Sequence, residues 1–216
     1  MKDLKAVFFD FDGTLVDSER FYFEAWKPIL KENFAIDLNF EIWIQHFAGH
    51  TLVRNLQTMK ELWGIEARED FMWKSTRENY ANQDMLSIPL MPYAKDTIEF
   101  LVEKDIQIGL VTSNFRPSVD KMLAHYGLLQ HFTWFVTRED VLDPKPKPEC
   151  YLKALALSGL THEQVVAIED TATGSRAGKD AGLTCIAVTK HRTERDRLGF
   201  VDHLLFDLEE FKAMLQ

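Results

Sequence analysis

The sequence predicts an α/β protein whose doubly wound parallel sheet is interrupted by a small inserted helical domain. Three observations carry this. Short, continuously apolar runs recur along the chain, as strands buried on both faces require. Helical patterns separate the later runs, and this alternation builds a parallel sheet between layers of helices. Residues 17–88 break the alternation: they carry helical patterns and no convincing strand.

Ala6–Phe9 is the first run, apolar throughout and rich in β-branched and aromatic side chains. Further strands are predicted over Ile106–Val111, Phe132–Val136, Val165–Ile168 and Thr184–Val188, with a weaker one over His203–Phe206. Val119, Met122, Leu123 and Tyr126 fall on one face of a helix. Pro148 opens another helix that runs through Leu157, because a proline's missing N–H is harmless in a first turn. Within the insert, Trp26, Ile29 and Leu30, then Leu52, Leu56, Met59 and Trp63, recur at helical spacing. Pro28 lies inside the first of these helices and is expected to kink it or mark an early turn. Trp26, Trp43, Trp63 and Trp73 are assigned to the insert's core. Pro89 and Pro92 punctuate the return to the α/β pattern. The expected domains are therefore residues 1–16 with 89–216, and 17–88 between them.

The 216 residues carry 25 Lys and Arg against 34 Asp and Glu, a formal charge of −9. Nucleic acid is not an expected partner of such a chain. An anionic substrate must be attracted locally, by a metal or a few placed cations. The 16 Phe, 5 Trp and 5 Tyr supply ample apolar surface for a folded core. No apolar window approaches the length that spans a bilayer, and Ala6–Phe9 is too short for the core of a signal peptide. Cys150 and Cys185 lie far apart and form neither a metal-ligand pair nor a disulfide framework. These features point to a reducing cytoplasm. A monomer and a homodimer are both open.

Open α/β sheets bind ligands beyond the carboxyl ends of their strands. Polar residues just past the predicted strands are Asp10, Asp12 and Thr14; Thr112, Ser113 and Asn114; Lys145 and Lys147; and Glu169 and Asp170. Gathering that many carboxylates without compensation is prohibitive. A hard divalent cation resolves the difficulty, and Mg²⁺ takes a few carboxylates together with a substrate phosphate. Asp10, Asp12 and Asp170 form the candidate ligand set. Lys145 supplies a second positive charge to a phosphoryl group, and hydroxyls and N–H groups near Thr112, Ser113 and Asn114 hold its remaining oxygens. One carboxylate, Asp10, is placed to attack phosphorus, while Asp12 acts first as acid and then as base. Thr14 positions Asp12 or its loop. Ser113 and Asn114 are also placed to cap a helix starting at Arg116. Lys147 reads as a solvated charge.

The run Asp10-Phe11-Asp12-Gly13-Thr14-Leu15-Val16-Asp17-Ser18 resembles the first motif of the haloacid dehalogenase superfamily. Val111-Thr112-Ser113-Asn114 resembles the second and Lys145-Pro146-Lys147-Pro148 the third. Ile168-Glu169-Asp170-Thr171, followed by Gly174, Ala177-Gly178 and Ala181-Gly182, resembles the fourth. All four occur in order across nearly the whole chain. The resemblance implies a Rossmann-like core with a helical cap after the first motif, as in phosphoglycolate phosphatase and β-phosphoglucomutase relatives. It also implies Mg²⁺ held by Asp10, the Asp12 main-chain carbonyl and Asp170, with Glu169 reaching the metal through water.

The expected function is a Mg²⁺-dependent phosphatase that hydrolyses a small phosphorylated metabolite, such as a sugar phosphate, through an aspartyl-phosphate. The alternative is a β-phosphoglucomutase-like phosphomutase. Tyr22 stands where such mutases carry a His, and Arg54 lies two positions beyond their usual arginine, so the phosphatase is preferred. Pro92-Tyr93 replaces the family's usual Pro-Gly after the cap. A receiver-like phospho-accepting module is the rival from another class, but it would lack a large cap. His50, beside Gly49, is the candidate substrate contact on the cap; the other histidines lack ligand spacing.

Overall fold

A computed structural model describes residues 3–216. The chain divides into two compact units: residues up to Asp17 together with Pro89–Gln216, and Ser18–Ile88.

The first unit is built on a six-stranded sheet. Its strands are β1 (Ala6–Phe9), β2 (Gln107–Val111), β3 (Trp134–Val136), β4 (Val165–Glu169), β5 (Thr184–Val188) and β6 (His203–Leu205). Every pairing is parallel and the order is β3-β2-β1-β4-β5-β6. All four β1 residues and all five β4 residues are buried, which is why Ala6–Phe9 and Val165–Ile168 read as unbroken apolar runs. Successive side chains point to opposite faces. Ala6 and Phe8 thus join Val111, Tyr151, Ala154, Ala167 and Cys185 in one buried cluster, beside which lie helices α7 (Glu149–Ser158) and α8 (Ala172–Asp180). Helix α5 (Ala94–Glu103) packs against β2 and against α10 (Leu208–Ala213). Cys150 and Cys185 are both free and buried, and burial pushes their thiols up to about 11 and about 12.

Strand order reverses at β1: β2 and β3 extend one way, β4 to β6 the other. Such a switch point opens a crevice at the carboxyl ends of the strands. The chain leaves β1 through a tight loop in which the Gly13 N–H donates to Val16 O at 2.8 Å and the Leu15 N–H to Phe11 O at 2.8 Å. Val16 bridges to Leu90, so the outgoing and returning chains are tied together. Tyr93, where the family pattern has glycine, takes a left-handed φ of 63° at the start of α5. A residue with a Cβ is strained there.

The second unit holds α1 (Glu19–Phe34), α2 (Phe40–His46), α3 (Leu52–Trp63) and α4 (Glu69–Ala81). Helix α1 runs continuously through Pro28, so the proline marks no turn there. Glu24, whose carbonyl loses its usual donor there, is exposed. The core gathers Phe23, Trp26, Ile29, Leu30, Trp43, Phe47, Met59 and Met72. Trp43 stacks on Phe47, and Phe47 on Trp63, with centroids 5.6 Å apart in each pair. Trp73 is not in this core and is 55% exposed. Helix α4 buries Met72 and Thr76, one turn apart, which turns position 73 towards solvent beneath the Arg77 guanidinium. Among the described residues no helix is long and apolar enough to cross a membrane.

Candidate active site

Asp10 follows β1 directly and is held by its own backbone, whose N–H donates to Ile168 O at 2.9 Å. Its side chain is nearly buried, and Lys145 Nζ donates to its Oδ1 at 2.6 Å. Lys145 also donates to Val111 O at 2.8 Å and lies 2.7 Å from Glu169 Oε1. An ammonium has three donors, and these three acceptors use them all. Lys145 is therefore a clamp on the acids. Burial opposes its charge, yet Asp10 and Glu169 outweigh burial and hold the lysine pKa above its ordinary value.

Glu169 closes β4 and is 1% exposed. Its Oε1 accepts from Tyr151 Oη at 2.6 Å as well as from Lys145. Burial pushes its carboxyl above the usual glutamate value, with Lys145 pulling the other way. Asp10, Glu169 and Asp170 each offer a carboxylate oxygen, all within 4.8 Å of one another. Two glycines make this crowding possible. A Cβ on Gly13, which has φ 75°, would lie 2.0 Å from Asp170 Oδ2. A Cβ on Gly174 would lie 1.9 Å from Glu169 Oε2. Three carboxylates gather here against one ammonium, which pairs with Asp10 and Glu169. That surplus of negative charge, lined by hard oxygen donors, fits a divalent cation such as Mg²⁺.

Asp12 is half-buried past the first bend, and its carboxylate is not part of that cluster. Asn114 Nδ2 donates to Asp12 Oδ2, while the Asn114 N–H donates to Thr112 Oγ1 at 3.1 Å. Thr112 is buried, and its own N–H donates to Val136 O at 2.9 Å. The loop after β2 is thereby fixed against the loop after β1. Neither Ser113 nor Asn114 caps the helix that follows: α6 (Arg116–His125) has Phe115 at its N-cap, and Glu139 Oε1 accepts the Arg116 N–H at 2.9 Å. Ser113 and Lys147 are exposed. Thr14 is buried, but its Oγ1 has no hydrogen-bond partner among the described residues, so it does not hold Asp12 through its hydroxyl.

His50 belongs to the helical unit. Its Nδ1 lies 3.1 Å from His46 O, and Thr51 beside it caps α3 by accepting the Arg54 N–H. Glu19 anchors the same loop: its Oε1 accepts the Gly49 N–H at 3.0 Å, and its Oε2 accepts Trp43 Nε1–H at 2.7 Å. The Arg54 guanidinium is engaged by Glu61 at 3.1 and 3.2 Å.

Two side chains that sequence reasoning did not single out brace β4 and the helix after it. Tyr151 touches Glu169, and Glu194 Oε2 accepts the Ala172 N–H at 2.8 Å, tying the segment after β5 to the first turn of α8. Both are contacts through space between distant residues. The only cue in the sequence was the position of Tyr151 in the first turn and a half of the Pro148 helix.

Residues 7–188 match the haloacid dehalogenase-like hydrolase family. The chain is 28% identical over 191 residues to the phosphorylated carbohydrates phosphatase of Thermotoga maritima, covering 87% of this chain and 86% of that one. It is 26% identical over 193 residues to the β-phosphoglucomutase of Bacillus subtilis, covering 86% and 83%. In fold it is similar to a family hydrolase of Deinococcus radiodurans R1 solved with bound phosphate and sodium, with a TM-score of 0.77, 24% identity, and coverage of 99% and 95%.

Proposed function

The chain belongs to the haloacid dehalogenase-like hydrolase family, and from that premise we propose that it is a Mg²⁺-dependent phosphatase acting on a small phosphorylated metabolite of the sugar-phosphate class. The observation that carries this is the gathering of Asp10, Glu169 and Asp170, the first two paired with Lys145, and Asp12 hydrogen-bonded by Asn114 outside that cluster. Asp10, Asp170 and the Asp12 main-chain carbonyl would hold the metal, with Glu169 contributing through water. When bound, Mg²⁺ supplies positive charge against the phosphoryl oxygens.

The work of the chain's own groups follows. Lys145 fixes the Asp10 carboxylate through Oδ1 and so limits the orientations in which it can attack. Asp10 attacks phosphorus, the ester P–O bond breaks, and Asp12 gives its proton to the leaving alcohol oxygen. Asp12, now a carboxylate, takes a proton from water. The hydroxyl attacks phosphorus, the bond to Asp10 breaks and phosphate leaves. Two carboxylates divide these roles because one lies beside an ammonium and the other beside an amide. Thr112, Ser113 and Asn114 line the place where phosphoryl oxygens would rest, with Asn114 acting through Asp12. The helical unit is assigned the part of a cap, with His50 as its candidate substrate contact.

The test is phosphate release from p-nitrophenyl phosphate and from a panel of phosphorylated metabolites, with Mg²⁺ and with chelator. Turnover should require the metal and vanish in Asp10→Asn. Full activity of Asp10→Asn would overturn the assignment. The likeness to β-phosphoglucomutase favours phosphomutase as the second reading. Isomerised sugar phosphate in the presence of a bisphosphate primer, without steady phosphate release, would select it.

A further inference from the structure

We infer that Tyr151 is a positioning residue for the cation site, acting through Glu169; this rests on the phosphatase reading above. Tyr151 is fully buried in the core beneath β1 and β4, one of the largest side chains with no exposed surface. A phenol of that size would be replaced at no loss of packing by phenylalanine, were its hydroxyl idle. The hydroxyl is not idle: Oη donates to Glu169 Oε1 at 2.6 Å. Lys145 Nζ reaches the same oxygen at 2.7 Å. The two donors saturate Oε1, since a carboxylate oxygen has about two lone-pair sites. Oε2 receives neither donor and lies over the Cα of Gly174, where a Cβ would stand only 1.9 Å away. The carboxylate is thus pinned at one oxygen by two donors and stopped at the other by a backbone. Two donors and one backbone fix the orientation of the carboxylate that stands with Asp10 and Asp170 in the acidic cluster.

Lys145 alone would not achieve this. It is shared with Asp10 and Val111 O, and a carboxylate held by one donor can turn about its last bond. Groups that orient metal-ligating carboxylates typically change metal affinity by about 10–100-fold when removed.

The experiment measures Mg²⁺ affinity from the metal-dependent rise in melting temperature, a readout independent of turnover. Tyr151→Phe should weaken the Mg²⁺ midpoint by about tenfold or more and raise the Mg²⁺ concentration for half-maximal activity in step. Glu169→Gln and the double variant complete a cycle: in the Glu169→Gln background, Tyr151→Phe should add little. An unchanged Mg²⁺ midpoint in Tyr151→Phe, even with lower metal-free stability, would mark the hydroxyl as structural only and overturn the inference. Additive effects in the cycle would overturn it as well. A wild-type protein whose melting ignores Mg²⁺ would instead overturn the metal reading itself, and this inference with it.

Discussion

Gly174→Ala sets helix propensity against the packing of one carboxylate. Gly174 sits inside α8 with an ordinary helical φ, so alanine there should stabilise the helix by about 1 kcal/mol. The new Cβ, however, would lie 1.9 Å from Glu169 Oε2, 2.2 Å from Cδ and 2.5 Å from Oε1. The carboxylate must move, and it is 1% exposed, so it cannot move into water. Moving it stretches or breaks the hydrogen bond from Tyr151 and the ion pair with Lys145. Hydrogen bonds to charged groups contribute about 1.5–3 kcal/mol each, so the loss exceeds the helical gain by roughly 2–5 kcal/mol. For a chain of this length that lowers the melting temperature by roughly 4–20 °C. Thermal melts of metal-free wild type and variant decide it. A variant melting at or above the wild-type temperature would show that Glu169 is not wedged as described.

Three other perturbations separate roles that look alike in the sequence. Asn114→Ala removes the donor that orients Asp12 and should lower kcat about tenfold or more, within the ~10²–10⁴-fold that a general acid/base supplies, with little change in KM. Steady-state kinetics check this, and a raised KM with unchanged kcat would place Asn114 on substrate instead. Glu194→Ala orphans the Ala172 N–H at the start of α8 and should cost about 1 kcal/mol in urea denaturation, whereas Glu194→Gln, which keeps an acceptor, should recover most of it. Equal losses in both would point to the charge. Burial pushes the Asp202 carboxyl up, but the Lys179 ammonium and the Cys185 N–H outweigh burial and hold it below the usual aspartate value. Its stabilising contribution is present above about pH 4 and is lost as pH falls through the lowered native pKa, because the unfolded chain then binds the extra proton. Melting temperature should therefore fall less steeply below pH 4 in Asp202→Asn than in wild type, and parallel profiles would contradict this.

What could be read from the sequence was whatever leaves a local mark. Strands buried on both faces carry few polar side chains, so Ala6–Phe9 and Val165–Ile168 stand out as apolar runs, and the acids stand out because they follow those runs at once. The parallel sheet is legible on that ground, and β6, exposed or half-buried throughout, leaves the weakest mark. Contacts made through space left no such mark. Tyr151 and Glu169 are 18 residues apart, Ala172 and Glu194 are 22, and neither spacing belongs to a repeating pattern. Trp73 was misplaced because residue type was weighed above helical phase: Met72 and Thr76 define the buried face, and position 73 lies off it. The saturation of Lys145 by Asp10, Glu169 and Val111 O was equally hidden, since it depends on how far one strand end stands from another.

The most direct test of the central claim is to quench the enzyme in acid during turnover with Mg²⁺ and locate the phosphoryl group by peptide mass spectrometry. The account requires it on the peptide that contains Asp10, absent from Asp10→Asn and absent when chelator replaces the metal. A phosphoryl group on any other residue, or its persistence in Asp10→Asn, would contradict the account.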